Sequence, residues 1–184
     1  VEEQTEHLLG KLRDGQLDLA IIALPSEAAG MVDVPLYTED FVVVTDNNDA
    51  LAGREDLTPA ELDSLKLLLL DDGHCLRDQI LDLCRRAHIN ASEATNSVTR
   101  ASSLTTILQL VMGGLGATLV PESAIATECT NPHLQVSRFD PSVTAEREVG
   151  LVFRSSAARA EEFRKFGALV TAAFEEALQR SRNV

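Results

Sequence analysis

Residues 67–79 join an apolar run to a polar turn, Leu67-Leu68-Leu69-Leu70-Asp71-Asp72-Gly73-His74-Cys75-Leu76-Arg77-Asp78-Gln79. The leucine run is too apolar for a half-exposed strand, so it predicts a strand over residues 65–70 in a sheet covered on both faces. The polar turn that follows predicts a helix over residues 78–86. Cys75 stands where this helix opens, and the partial positive charge of a helix N-terminus favours a thiolate.

Strands and helices alternate along the rest of the chain, which predicts an α/β domain with a mostly parallel sheet. Further strands are expected over residues 17–24, 41–45, 94–98 and 117–120. Helices are expected over residues 6–13, from Pro59 with Thr58 as N-cap, and from Ser102 or Ser103 to Met112. The C-terminal helix is predicted from an apolar stripe assigned to core packing, formed by Phe163, Phe166, Val170, Phe174 and Ala177.

A second cysteine, Cys84, follows Cys75 by nine positions. On one continuous helix the two would be about 13 Å apart along the axis and on opposite faces. A disulfide tolerates Cα separations of only about 4.4 to 6.8 Å. A reaction between the two thiols would therefore require the helix between them to come apart. Cys84 alone is more typical of a buried core residue, whereas Cys75 has polar neighbours that act on a thiol.

The segment from Gly73 to Gln79, followed by Cys84, resembles the redox segment of the OxyR family, the peroxide-sensing LysR-type transcription regulators. Two further stretches resemble LysR-type effector domains in general: the strand over residues 17–24 and the glycine-rich junction over residues 113–121. The glycines of that junction follow a helix and open a strand, the reverse of a nucleotide-binding loop, so they indicate helix capping.

The resemblance implies a role for each of seven residues. Cys75 matches the cysteine that peroxide oxidises to a sulfenic acid, and Cys84 matches the one that then forms a disulfide with it. The remaining matches are to residues of the peroxide pocket or its support: Thr5, His74, Asp78, Gln79 and Arg147. Without the resemblance, Thr5 would be a helix cap, Arg147 an exposed strand residue in a surface ion pair, and His74 a turn residue.

The resemblance also implies the type 2 periplasmic-binding-protein-like fold, with two Rossmann-like subdomains and a cleft. Residues 1–37 and 148–184 would form subdomain I, whose first strand-helix unit is missing, and residues 38–147 subdomain II with the redox cysteines. The crossings would lie near Tyr37 and Arg147. The winged helix-turn-helix that contacts DNA in this family is expected outside this chain.

Composition narrows the functional classes. The chain has 184 residues, 45% of them hydrophobic, and can bury a substantial core. No run reaches the roughly 18 apolar residues of a membrane span, and three cysteines suit a reducing cytoplasm. Cys129 looks like a loop residue without a role. The net charge of −13 argues against DNA binding by this chain alone.

The resemblance, with which the composition agrees, implies a hydrogen-peroxide-sensing regulatory domain that is not an enzyme and needs no cofactor or metal. The expected partners are hydrogen peroxide, further copies of the protein in a homodimer or homotetramer, and a cellular dithiol that resets the switch. Three alternatives stay open: a thiol peroxidase, a LysR-type domain that binds a small molecule reversibly, and a zinc sensor using Cys84, His88 and His74 or Cys75.

Overall fold

The computed structural model describes residues 1–62, 64–72, 74–86 and 100–183. Seven strands in the described residues are β1 (Leu19–Ala23), β2 (Met31–Asp46), β3 (Leu69–Leu70), β4 (Arg100–Ala101), β5 (Thr118–Pro121), β6 (Leu134–Ser137) and β7 (Glu146–Arg154). The helices are α1 (Thr5–Arg13), α2 (Pro59–Leu62), α3 (Cys75–Arg86), α4 (Leu104–Met112), a 3-10 turn (Glu122–Ala124), α5 (Ile125–Glu128) and α6 (Ala160–Arg182).

The long strand β2 organises the sheet. Its first part pairs with β7 from Met31 to Asp40, and its second part pairs with β5 and β6 from Phe41 to Asp46. Strand β7 also pairs with β1, which gives the order β1-β7-β2-β5. The β2–β7 ladder slips by a bulge between Pro35 and Tyr37.

The prediction of a mostly parallel sheet is wrong for the described residues. Every ladder of the larger sheet is antiparallel, and parallel pairing occurs between β3 and β4 and at two isolated bridges. Alternation of strands and helices fixes element order but leaves strand direction open. Here β2 and β7 run past each other in opposite directions along most of their length.

Two strand boundaries also differ from the prediction. Strand β2 begins at Met31, ten residues before the predicted start at Phe41. Only Leu69 and Leu70 of the predicted strand over residues 65–70 form a ladder, although Leu67 makes a parallel bridge to Ala117. The strand predicted over residues 94–98 lies outside the described residues.

The leucine run is covered on both faces, as predicted. Leu67 and Leu69 pack in one buried cluster with Phe41 and Val43, whereas Leu68 and Leu70 pack in a second cluster. Because neighbouring strand residues point to opposite faces, this alternation places apolar cores on both sides of the strands. The first of these cores holds helix α3 through Ile80, Leu83 and Cys84.

The predicted helix ends are largely confirmed. Ser103 is the N-cap of α4 and accepts a hydrogen bond from the Thr106 backbone N–H, and Gly113 follows its last turn. The backbone N–H and hydroxyl of Thr58 both donate to Glu61 at the start of α2. The stripe on α6 is only partly core, because Phe163 is buried while Phe166 is 43% exposed.

Candidate functional site

A cavity of about 810 Å³ brings together five of the seven predicted site residues. Its walls come from α1, β1 and the loop after it, β2, α3 and β7. The predicted residues among its lining are Thr5, Cys75, Asp78, Gln79 and Arg147. Five residues that are scattered in sequence between positions 5 and 147 therefore border the same cavity.

Cys75 is the first residue of α3 and is exposed. The turn before it is held by the Asp71 backbone N–H, which donates to Ala101 at 3.0 Å. This hydrogen bond extends the β3–β4 pairing to Asp71, four residues before the helix begins. The thiol that the sequence placed at a helix opening therefore borders the cavity and is accessible to a small molecule.

Cys84 lies in the opposite environment on the same helix. It has no exposed surface and packs in the core with Ile80 and Leu83. Burial raises the pKa of the Cys84 thiol, so less of it is thiolate at neutral pH. Cys75 and Cys84 are both free thiols, and α3 runs unbroken from one to the other.

Arg147 is anchored in the sheet by a buried carboxylate. Its Nε and Nη2 donate to Glu39 Oε1 at 2.8 and 2.5 Å, and its Nη1 donates to Gln79 Oε1 at 3.2 Å. The guanidinium also lies over the Phe41 ring, 5.9 Å from its centroid. The interpretation of Arg147 as an exposed residue in a surface pair is therefore wrong.

Thr5 is the first residue of α1 and half-buried. The N-cap of this helix is Gln4, whose side chain makes no capping hydrogen bond. The alternative in which Thr5 serves as the cap is therefore wrong. Thr5 borders the cavity, and its role as a pocket residue stays a prediction.

His74 and Asp78 differ in their placement. Asp78 borders the cavity and forms an ion pair with Arg77 at 3.5 Å. His74 is not among the described lining residues, and its backbone carbonyl accepts from the N–H groups of Arg77 and Asp78 at the helix start. Arg77 also forms an ion pair with Asp72 at 2.9 Å.

Glu39, which holds Arg147 at the cavity wall, was not predicted from the sequence. Its side chain is 1% exposed, and it lies directly opposite Arg147 in the β2–β7 ladder. A glutamate next to Asp40 is typical of a solvent-facing strand, so the local sequence does not indicate that Glu39 is buried. Glu39 can be recognised once β2 is known to pair with β7, because that pairing places Arg147 directly opposite it. A carboxylate that points into the core needs such a cation.

Cys129 is buried after α5, and burial raises its pKa to about 11. Among the described residues, no group of three or more His, Cys, Asp and Glu side chains is arranged to hold a metal ion. The zinc alternative depended on His88, which lies outside the described residues. None of the described helices is both long enough and apolar enough to cross a membrane.

Comparison with known proteins gives a consistent result. The family model of the LysR substrate binding domain matches residues 1–175. The probable hydrogen peroxide-inducible genes activator of Mycobacterium avium is 47% identical over 169 residues, which cover 92% of this chain and 53% of that protein. This chain therefore spans about half the length of that curated relative.

Two solved structures extend the comparison. Corynebacterium glutamicum OxyR, in a cysteine-to-serine mutant with H2O2 bound, has 57% identity and a TM-score of 0.97 over 100% of this chain and 57% of that one. The regulatory domain of Vibrio vulnificus OxyR2, in a glutamate-to-glycine mutant, has 31% identity and a TM-score of 0.81 over 94% of this chain and 81% of that one.

The family match and the fold together define a LysR-type substrate binding domain. The chain belongs to that family and, within it, to the OxyR regulatory domains.

Proposed function

We propose that this chain is the hydrogen-peroxide-sensing regulatory domain of a transcription regulator, reacting once per oxidation event and not turning over as an enzyme. The observation that carries the proposal is the exposed Cys75 thiol at a helix start, bordering one cavity with Thr5, Gln79 and Arg147. The peroxide-bound state named for the C. glutamicum relative and the name of the M. avium relative support it.

In the first step the Cys75 thiolate attacks one oxygen of hydrogen peroxide. An S–O bond forms, the O–O bond breaks, and the second oxygen leaves as hydroxide, which takes up a proton to become water. Sulfur is oxidised to a sulfenic acid while peroxide is reduced. The N–H groups of Arg147 and the hydroxyl of Thr5 are donors that stabilise the charge developing on the leaving oxygen.

In the second step Cys84 attacks the sulfenic sulfur of Cys75. The S–S bond forms as the S–O bond breaks, and the hydroxyl leaves as water with the proton of the second thiol. Along an intact helix the nine-residue separation corresponds to about 13 Å, far beyond the reach of a disulfide. Helix α3 therefore has to open, and Cys84 has to leave the apolar core.

This opening is the event that passes the signal on. We infer that residues 1–37 with 148–184 and residues 38–147 form two lobes, with β2 and β7 crossing between them. Refolding of the cysteine segment changes the packing of the lobes and of a homodimer or homotetramer. DNA is bound by another part of the regulator, since this chain carries a net charge of −13. A cytoplasmic dithiol reverses the disulfide.

Mass spectrometry after thiol trapping tests the proposal. Wild type, Cys75→Ser and Cys84→Ser receive one equivalent of hydrogen peroxide, with Cys129→Ser as the control for a cysteine without a role. We expect a Cys75–Cys84 disulfide in wild type and Cys129→Ser, and a Cys75 sulfenic acid in Cys84→Ser.

Other results would point to the alternatives. Unreacted thiols in all variants would contradict peroxide sensing and favour a domain that binds its ligand reversibly. Steady consumption of excess peroxide in the presence of a dithiol, over many turnovers, would contradict the stoichiometric sensor and favour a thiol peroxidase.

A further inference from the structure

We propose that Glu39 is a positioning residue for the peroxide reaction and acts by holding the Arg147 guanidinium at the cavity wall. This inference rests on the proposed function of Cys75. Glu39 is not among the residues that line the cavity, so its effect on the reaction passes through Arg147.

The burial of Glu39 makes its contacts specific. A carboxylate that is 1% exposed is costly unless cations and hydrogen-bond donors satisfy it. Arg147 supplies two N–H groups to Oε1, and the Ser123 hydroxyl donates to Oε2 at 2.6 Å. Both carboxylate oxygens are therefore engaged, which fixes the plane of Glu39 and with it the plane of the guanidinium.

The contacts also orient the free side of Arg147. In the described part of the chain, Glu39 and Gln79 engage three of its N–H groups, and a guanidinium has five. One N–H on each terminal nitrogen is left to bind a ligand. Because Nε and Nη2 are held against the sheet, Nη1 is the nitrogen directed toward Gln79 on α3, the helix that begins with Cys75.

The anchor does not depend on α3. Glu39 and Arg147 are direct partners on two paired strands, so their register keeps them together when the redox helix opens. Opening of α3 removes the Gln79 contact and leaves the Glu39 contacts in place. Glu39 therefore keeps the Arg147 guanidinium in place until the disulfide is reduced and Cys75 can react with peroxide again.

A positioned donor affects peroxide and an alkylating agent differently. The departing oxygen of peroxide gains negative charge and needs donors, whereas iodide leaves iodoacetamide without taking a proton. Loss of Glu39 should therefore slow the reaction of Cys75 with peroxide while its alkylation keeps a similar rate. Misfolding would change both rates together.

The test measures the second-order rate constants of Cys75 with hydrogen peroxide and with iodoacetamide. We expect Glu39→Ala to lower the peroxide rate constant by about ten- to a hundredfold, and Glu39→Gln, which keeps the shape and a carbonyl acceptor, to lower it less. Both should change the iodoacetamide rate constant less than about twofold. The matched control is Glu122→Gln, because Glu122 is a buried carboxylate paired with Arg138 and Arg182 away from this cavity.

A double variant separates positioning from general destabilisation. In an Arg147→Ala background, Glu39→Ala should cause no further loss of peroxide rate, because its effect passes through Arg147. Removing both partners also avoids the unpaired buried charge that Arg147→Ala alone leaves at Glu39.

The outcomes distinguish the two proposals. Wild-type Cys75 that reacts with peroxide no faster than free cysteine would overturn the proposed function. A fast wild type with equally fast Glu39 variants, or equal losses with both reagents, would overturn the role of Glu39 alone.

Discussion

Cys75 and Cys84 occupy the same unbroken helix, one exposed at its first residue and the other fully enclosed in the core nine residues later. Their chemical environments are therefore opposite although their covalent separation is short. The exposed thiol can meet a solute before any structural change, and the buried one cannot. In the proposed mechanism, oxidation therefore begins at Cys75, and a conformational change has to come between the two chemical steps.

Alkylation of the native protein should separate the cysteines. We expect iodoacetamide to modify Cys75 at least about a hundredfold faster than Cys84, because Cys84 reacts only when α3 opens. Burial also raises the pKa of Cys84, which lowers its thiolate fraction. Time-resolved peptide mapping measures both rates, with Cys129 as a second buried thiol. Similar rates for Cys75 and Cys84 would contradict the assigned burial.

Alkaline pH should destabilise the protein through Cys129. Burial raises its folded pKa to about 11, while an unfolded cysteine ionises near about 8.5. The folded-state pKa is the higher one, so the contribution to stability is complete below the unfolded pKa and is lost as pH rises toward the folded pKa. The expected loss is about 3 kcal/mol.

Urea unfolding at pH 8 and pH 11 measures this effect, with Cys129→Ala as the matched variant. The stability advantage of wild type over Cys129→Ala should shrink by that amount between the two pH values. An advantage that stays constant would show that Cys129 does not titrate differently in the folded state.

Truncation of Arg147 should cost stability as well as reactivity. Arg147→Ala leaves the Glu39 carboxylate buried without its cation, and we expect a loss of about 3 kcal/mol in the free energy of unfolding. Adding Glu39→Gln should restore part of it, since position 39 then holds no buried charge without a cation. Urea denaturation of the single and double variants gives the coupling. Strictly additive losses would mean that the two side chains do not interact.

A close backbone contact makes Gly116 sensitive to substitution. Its φ is +152°, and a Cβ there would lie 2.2 Å from the Lys66 carbonyl oxygen. Gly116→Ala should therefore lower stability by about 3 kcal/mol or more. Gly10→Ala is the matched control, because Gly10 lies inside α1 with open space around it and should gain up to about 1 kcal/mol. Equal effects in thermal unfolding would contradict the Gly116 contact.

Local signals predicted many of the elements well. The serine before α4 marked a helix start because its hydroxyl accepts from the Thr106 backbone N–H. The threonine before α2 marked another because its backbone N–H and hydroxyl both donate to the Glu61 side chain. The leucine run predicted a strand buried on both faces because no polar residue interrupts it. Strand β2 was underestimated because Asp33, Pro35 and Glu39 break the apolar pattern, although pairing with β7 holds all of that segment in the sheet.

The features that could not be predicted from the sequence depend on contacts between residues that are far apart in the chain. Strand direction depends on which strands become neighbours, so the antiparallel ladders were not predictable from element order. Cys75 and Arg147 were grouped through family resemblance, since 72 positions separate them. Glu39 was missed because its partner is set by strand register. The role of His74 in the pocket or its support stays a prediction, and its backbone carbonyl accepts hydrogen bonds at the helix start.

Hydrogen exchange of α3 during oxidation shows whether the helix opens when the two cysteines join. One equivalent of hydrogen peroxide is added to wild type and to Cys84→Ser, and amide protection of residues 75–86 is followed by mass spectrometry alongside the disulfide. We expect wild type to lose helix protection as the Cys75–Cys84 disulfide forms, and Cys84→Ser to keep it with a sulfenic acid at Cys75. A disulfide that forms while α3 remains fully protected would contradict the proposed opening of the helix.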